Sequence, residues 1–180
     1  MCIRDRPYAI TEFQSLLTAM KDLAEENASL QVELHIFCEE PDRIAGHDFV
    51  KMREGQDCAR LIQDLSELDL LYLPYWFSEA MREESDLSFP SKLTTYLATG
   101  RPVLFHGRAD SAPGRFLRSG EAAFFCFRPD AEALKSVLTR SLARPEQYEH
   151  VARNGRAMFD RFLSSSALKT AFGTFMGETV

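Results

Sequence analysis

The chain has 180 residues, 45% of them apolar and 27% charged, which suits one globular domain with a sizeable core. A net charge of −6 argues against the basic surface that nucleic-acid binding needs. No apolar run approaches the roughly 20 residues of a membrane span and no signal segment opens the chain, so a soluble, cytoplasmic protein is expected.

Residues 1–9 are set apart as a non-native or truncated remnant, because Met1 to Arg6 reads as a translated adapter rather than as protein. From Thr11 to Ala28 the apolar residues Phe13, Leu16, Leu17, Met20, Leu23 and Ala24 keep helical spacing, with Thr11 as N-cap. Gln31 to Cys38 alternates Val32, Leu34, Ile36 and Cys38 with polar residues, the period of a strand. Acidic Glu39, Glu40 and Asp42 mark a surface loop, and Phe49 to Met52 is a weaker strand. A helix from about Asp57 to Leu68 precedes a strand from Asp69 to Leu73, and residues 75–87 read as a loop with a helical turn.

Ser88 to Gly107 is the densest stretch. Pro90 suits a first helical position, Ser88 or Ser91 can cap beside it, and Leu93, Tyr96 and Leu97 share one buried face. Gly100 can take the left-handed conformation that ends a helix, and Val103 to Phe105 reads as a strand buried on both sides. Beyond it come a helix from Ser111 to Ser119, a strand from Ala122 to Phe127, a helix from Pro129 to Leu142, a helix from Pro145 to Leu163, and a last helix from Ser166 to Met176. Strands alternating with helices give an α/β, Rossmann-like, doubly wound parallel sheet with flanking helices. Residues 10–163 make the domain, and residues 164–180 hold a terminal helix.

Ligands of such sheets lie outside the carboxyl ends of the strands, which here brings Tyr75, His106, Gly107 and the helix start at Ser88 to Lys92 together. Two readings of that helix start stand side by side. Ser88 and Ser91 cap and Lys92 is a solvated charge, or the bare N–H groups and Lys92 bind an anion such as phosphate. Tyr75, Trp76 and Phe77 are either a stacking wall or a flap of core, and His106 either touches a ligand or is structural. The four cysteines and four histidines are scattered without ligand spacing, so neither a metal nor a cofactor is expected.

Pro90, Ser91, Lys92, Leu93, Tyr96, Leu97, Gly100, Pro102 and Val103 resemble the nucleotide-sugar-binding stretch of GT-B fold glycosyltransferases of the "glycosyl transferases group 1" type, and Asp69 to Pro74 resembles a second strand of that family. The resemblance implies the C-terminal, donor-binding half of a GT-B enzyme, a hexosyltransferase that is inactive as a fragment. Its donor site would comprise Ser88, Phe89, Pro90, Ser91, Lys92, Leu93, Thr95, Tyr75, His106 and Gly107, with the catalytic residues unknown. The implied partners are a nucleotide-diphosphate sugar, an acceptor (a saccharide, lipid-linked or a small molecule) and the missing N-terminal domain, toward which residues 164–180 would cross. The full-length enzyme would be cytoplasmic, with peripheral attachment to the inner membrane as an option. Two glutamates common in the family are replaced by Leu87 and Thr95, and the family's first strand is lost or replaced by residues 1–9. These departures keep two alternatives in view, a non-catalytic or regulatory GT-B-like domain and half of a sugar-nucleotide epimerase.

Overall fold

The computed structural model describes residues 10–27, 29–37, 47–53 and 57–177. Helix α1 (Ile10–Glu26) buries Phe13, Leu16, Met20 and Leu23 on one stripe. It starts at Ile10, so Thr11 lies inside the helix and is not its cap. Two short strands follow, β1 (Leu34–Phe37) and β2 (Val50–Arg53), paired in parallel with Leu34 opposite Val50. The acidic loop expected after β1 lies outside the described residues.

Helix α2 (Cys58–Ser66) is capped by Asp57, whose side chain accepts from the Arg60 N–H at 2.9 Å. It leads to β3 (Leu71–Pro74). The segment expected to be loop carries more helix than foreseen: a 3₁₀ turn at Glu79–Met81 and the short α3 (Arg82–Leu87). Helix α4 (Ser91–Ala98) and β4 (Val103–His106) come next, joined through Gly100 at φ +72° as the sequence predicts. Then come α5 (Ala112–Ser119), β5 (Phe124–Cys126), α6 (Ala131–Leu142) and α7 (Pro145–Met158). The helix expected to run from Pro145 to Leu163 breaks into a π-helical turn at Phe159–Leu163, and the last helix, α8 (Ser165–Phe175), starts with Ser164 as its cap.

Strands β3, β4 and β5 form a second parallel sheet in that order, Leu71 opposite Val103 and Leu104 opposite Phe124. Alternation in β4 divides the core into two layers. Val103 and Phe105 join Leu93, Tyr96, Leu97 and Met158 on one face, while Leu104 joins Phe13, Leu16, Leu134 and Leu138 on the other. Every residue of β4 is buried, which accounts for its unbroken apolar run. Helices thus cover both faces of the parallel strands, as the Rossmann-like reading requires.

Candidate functional site

The carboxyl ends of β3 and β4 meet the start of α4 around Tyr75. Its ring is buried, and its hydroxyl lies 2.8 Å from the Ser88 carbonyl and 2.5 Å from Ser88 Oγ. Ser88 is therefore occupied by the strand end and does not cap α4. Pro90 is itself the capping residue, extended at φ −72° and ψ 124°, and makes no side-chain cap hydrogen bond. This corrects both the capping role expected of Ser88 or Ser91 and the placement of Pro90 inside the helix. The physical reason is that proline carries no side-chain acceptor, so when it takes the cap position the cap side chain offers the first turn no hydrogen bond.

The other anticipated residues separate into two groups. Ser91 is exposed and Lys92 and Thr95 are half-buried, all on α4, while Leu93 is wholly within the core. Phe89 turns away and stacks edge-on against Phe116 at 5.2 Å. Tyr75 and Trp76 pack against each other at 4.8 Å inside the core, so this aromatic run is core flap rather than an open wall. Gly107 is an obligate close approach: a Cβ there would lie 2.7 Å from Tyr75 Cβ and 3.0 Å from the Tyr75 carbonyl.

His106 has no exposed surface and is a structural histidine. Its Nε2 lies 2.8 Å from the Arg128 carbonyl, which can only accept, so Nε2 carries the proton and Nδ1 accepts from the Tyr72 hydroxyl at 2.7 Å. Burial pushes its pKa down, against the smaller upward pull of the Arg128 carbonyl, which keeps the ring neutral. The Tyr72 hydroxyl also sits 3.0 Å from the Glu12 carbonyl, and its own pKa is raised by burial.

Glu12 was not anticipated. Its side chain is buried at the start of α1, where Oε1 accepts from the Phe77 N–H at 3.1 Å and Oε2 has no partner among the described residues. Its signal was present: Glu12 stands four residues before Leu16 and eight before Met20, on the apolar stripe of α1. Ser85 Oγ and Asp86 Oδ1, just ahead of Ser88, are likewise buried without a partner among the described residues.

Beside the site an ionic cluster ties the loop after β4 to the 3₁₀ turn. Arg108 contacts Asp110 at 2.7 Å and Glu79 at 3.0 Å, and Arg82 reaches the same two carboxylates. The Arg82 hydrogen bond holds the Glu79 carboxyl below its usual range, and the Arg108 hydrogen bond does the same for Asp110. Arg108 is thus already neutralised within the chain. Among the described residues no cluster of side chains has the makings of a metal site, and no helix is long and apolar enough to cross a membrane.

No protein-family model and no curated protein matches the chain. Solved structures do match. A sucrose-phosphate synthase from Thermosynechococcus elongatus aligns with a TM-score of 0.70 at 19% identity, over 97% of this chain and 43% of its own. HepE from Anabaena, solved with UDP and glucose, aligns with a TM-score of 0.66 at 12% identity, over 97% and 46% of the two chains. The same protein solved with UDP-glucose gives 0.67 at 13% identity, over 98% and 47%. The chain has the fold of a GT-B glycosyltransferase domain. It spans less than half the length of these structures. The strand ends at Pro74 and His106 lie at the carboxyl edge of the β3–β4 pair, and the start of α4 meets them through the Tyr75–Ser88 contact.

Proposed function

We propose that this domain holds the nucleotide-diphosphate sugar donor of a glycosyltransferase, with the diphosphate at the start of α4. The observation that carries this reading is the placement of the start of α4, with Pro90 as a cap that supplies no side-chain acceptor, at the carboxyl ends of β3 and β4. The positive end of the helix dipole favours an anion there, and Lys92 in the same turn adds a full charge. The orphaned oxygens of Ser85 and Asp86 on the approach to Ser88 suit a site that is wet or filled. That HepE has been solved with UDP and with UDP-glucose lends the nucleotide class.

In this reading the Ser91 and Lys92 N–H groups and Lys92 Nζ bind the diphosphate and stabilise its growing charge as the glycosidic bond breaks. Thr95 offers one neutral hydrogen bond to ribose, weaker than a charge-assisted one. Ser88, Phe89, Pro90 and Leu93 position the turn, while Tyr75, His106 and Gly107 form the packed floor beneath it. Hexosyl transfer, an acceptor that is a saccharide, lipid-linked or a small molecule, a partnering N-terminal domain, and a cytoplasmic or inner-membrane-peripheral setting complete the proposal.

One observation favours a second reading, a regulatory GT-B-like domain without transfer activity. Leu87 and Thr95 stand where the resembled family carries glutamates, and Leu87 is 77% exposed. Calorimetric titration with UDP, GDP and their sugar conjugates tests the donor reading. Saturable binding that weakens about tenfold in Lys92→Ala, the worth of one charge-assisted hydrogen bond, is the expected result. Binding unchanged by Lys92→Ala moves the diphosphate away from α4, and no binding by any of these nucleotides overturns the donor reading.

A further inference from the structure

Three polar contacts run end to end through the molecule. His106 Nε2 lies 2.8 Å from the Arg128 carbonyl, His106 Nδ1 lies 2.7 Å from the Tyr72 hydroxyl, and that hydroxyl lies 3.0 Å from the Glu12 carbonyl. The chain of contacts thereby joins the loop after β5, then β4 and β3, to the first turn of α1. His106, at its centre, is wholly buried.

Each contact needs one proton to become a hydrogen bond. A neutral imidazole carries one N–H and a phenol one O–H, so two protons serve three contacts. With the ring proton on Nε2, the bare Nδ1 and the Glu12 carbonyl compete for the single proton of Tyr72, and the longer contact, to Glu12, is left open. With the ring proton on Nδ1, the bare Nε2 faces the Arg128 carbonyl, acceptor against acceptor. Neither neutral form fills the chain, whereas the imidazolium does. Its Nε2 donates to Arg128, its Nδ1 donates to the Tyr72 oxygen, and Tyr72 is free to donate to Glu12.

We propose that this chain is a proton-operated clamp: when the folded molecule takes a proton from water at His106 Nδ1, the Tyr72 hydroxyl turns from the ring to the Glu12 carbonyl and ties the start of α1 to β3 and β4. Only hydrogens change place, so the packed surroundings are undisturbed. The gain is a full set of hydrogen bonds, two of them charge-assisted. The opposing cost is a buried positive charge.

The neighbouring groups bear on that cost. From α1 the Glu12 carboxylate, buried and with Oε2 unpartnered among the described residues, lies close enough to help raise the Tyr72 pKa, so the phenol keeps its own proton. From the loop after β5 the Asp130 carboxylate favours the charged ring, and the Arg128 guanidinium is taken up by Asp130 at 2.9 Å. From β5 the Cys126 thiol, kept protonated by burial, donates to the same Arg128 carbonyl at 3.3 Å. Phe77 meets the ring edge-on at 5.0 Å and brings no charge. Burial remains the largest influence and holds the ring's proton affinity below that of a free histidine. The clamp therefore closes on the acid side of about pH 6.5. It stands apart from the donor reading.

The test is nuclear magnetic resonance of the isotopically labelled chain from about pH 7.5 down to the pH at which it unfolds, with His106→Gln identifying the ring signals. The proposal expects Nε2 to stay protonated throughout, Nδ1 to pass from bare to protonated in the folded state, and the Glu12 carbonyl carbon to shift with the same midpoint. Tyr72→Phe separates the clamp from a hydroxyl that serves the ring alone. If Tyr72 only donates to Nδ1, it stabilises the neutral ring and its removal raises the proton affinity of His106. In the clamp it supports the cation more than the neutral ring, so its removal lowers that affinity about threefold to tenfold, the difference between a charge-assisted and a neutral hydrogen bond. A rise or no change in Tyr72→Phe, a Glu12 carbonyl that stays still while Nδ1 titrates, or unfolding before Nδ1 takes its proton would each overturn the clamp. Should Tyr72→Phe not fold, the Glu12 carbonyl of the unaltered chain decides.

Discussion

Gly107 shows how tightly single residues are specified at the strand ends. Because its hydrogen stands where a Cβ would press on both Tyr75 Cβ and the Tyr75 carbonyl, Gly107→Ala must move backbone. A loss of about 1–3 kcal/mol in urea unfolding is expected. His106 predicts a pH dependence. Its folded pKa lies below the ordinary histidine value, so below about pH 6.5 the unfolded chain binds the proton that the folded chain refuses. The stability associated with neutral His106 is present above that pH and is lost as pH falls through its folded pKa. Unfolding measured from pH 7.5 to 5 should therefore show a shallower decline in His106→Gln than in the parent. The cluster of Tyr72, His106 and Arg128 could not be read from the sequence, because its members lie 34 and 22 residues apart in pairs and meet only when β3, β4 and β5 align.

At the scale of elements, Ser111 is the most exacting cap. It is wholly buried, accepts from the Gly114 N–H at 3.2 Å and donates to the Arg108 carbonyl at 2.8 Å. Ser111→Ala should cost about 1–2 kcal/mol in chemical denaturation, more than an exposed cap, since it leaves a buried donor unpaired. Elements with a local cause were legible in advance: β4 from its unbroken apolar run, the end of α4 from Gly100, the start of α6 from Asp130, whose side chain accepts from the Ala133 N–H. Those set by distant contacts were not. α3 is a charged run with no apolar period, held where Arg115 Nη2 donates to the Asp86 carbonyl at 3.1 Å. The π-helical turn keeps the apolar spacing of α7 and so gave no sign of itself. α4 starts one residue later than its proline suggests, with Pro90 as cap, and Ser88 does not cap it because its partner is the Tyr75 hydroxyl 13 residues away.

Over the whole molecule the apolar surface is unevenly covered. Leu168, Phe172 and Phe175 on α8 are 56%, 66% and 85% exposed. Leu168→Ala with Phe172→Ala should change the unfolding free energy of the chain by less than about 0.5 kcal/mol per site, since neither side chain is in the core. The other end of the chain behaves oppositely. α1 lies against α6, where Ser15 donates to the Pro129 carbonyl across 114 residues and Lys135 bonds Glu26 across 109. During synthesis at about 5–20 residues per second, α1 leaves the ribosome roughly 5–20 s before its partner exists. For that interval Phe13, Leu16, Met20 and Leu23 form a greasy stripe with nothing to cover it, a ready handle for a chaperone that acts on nascent chains.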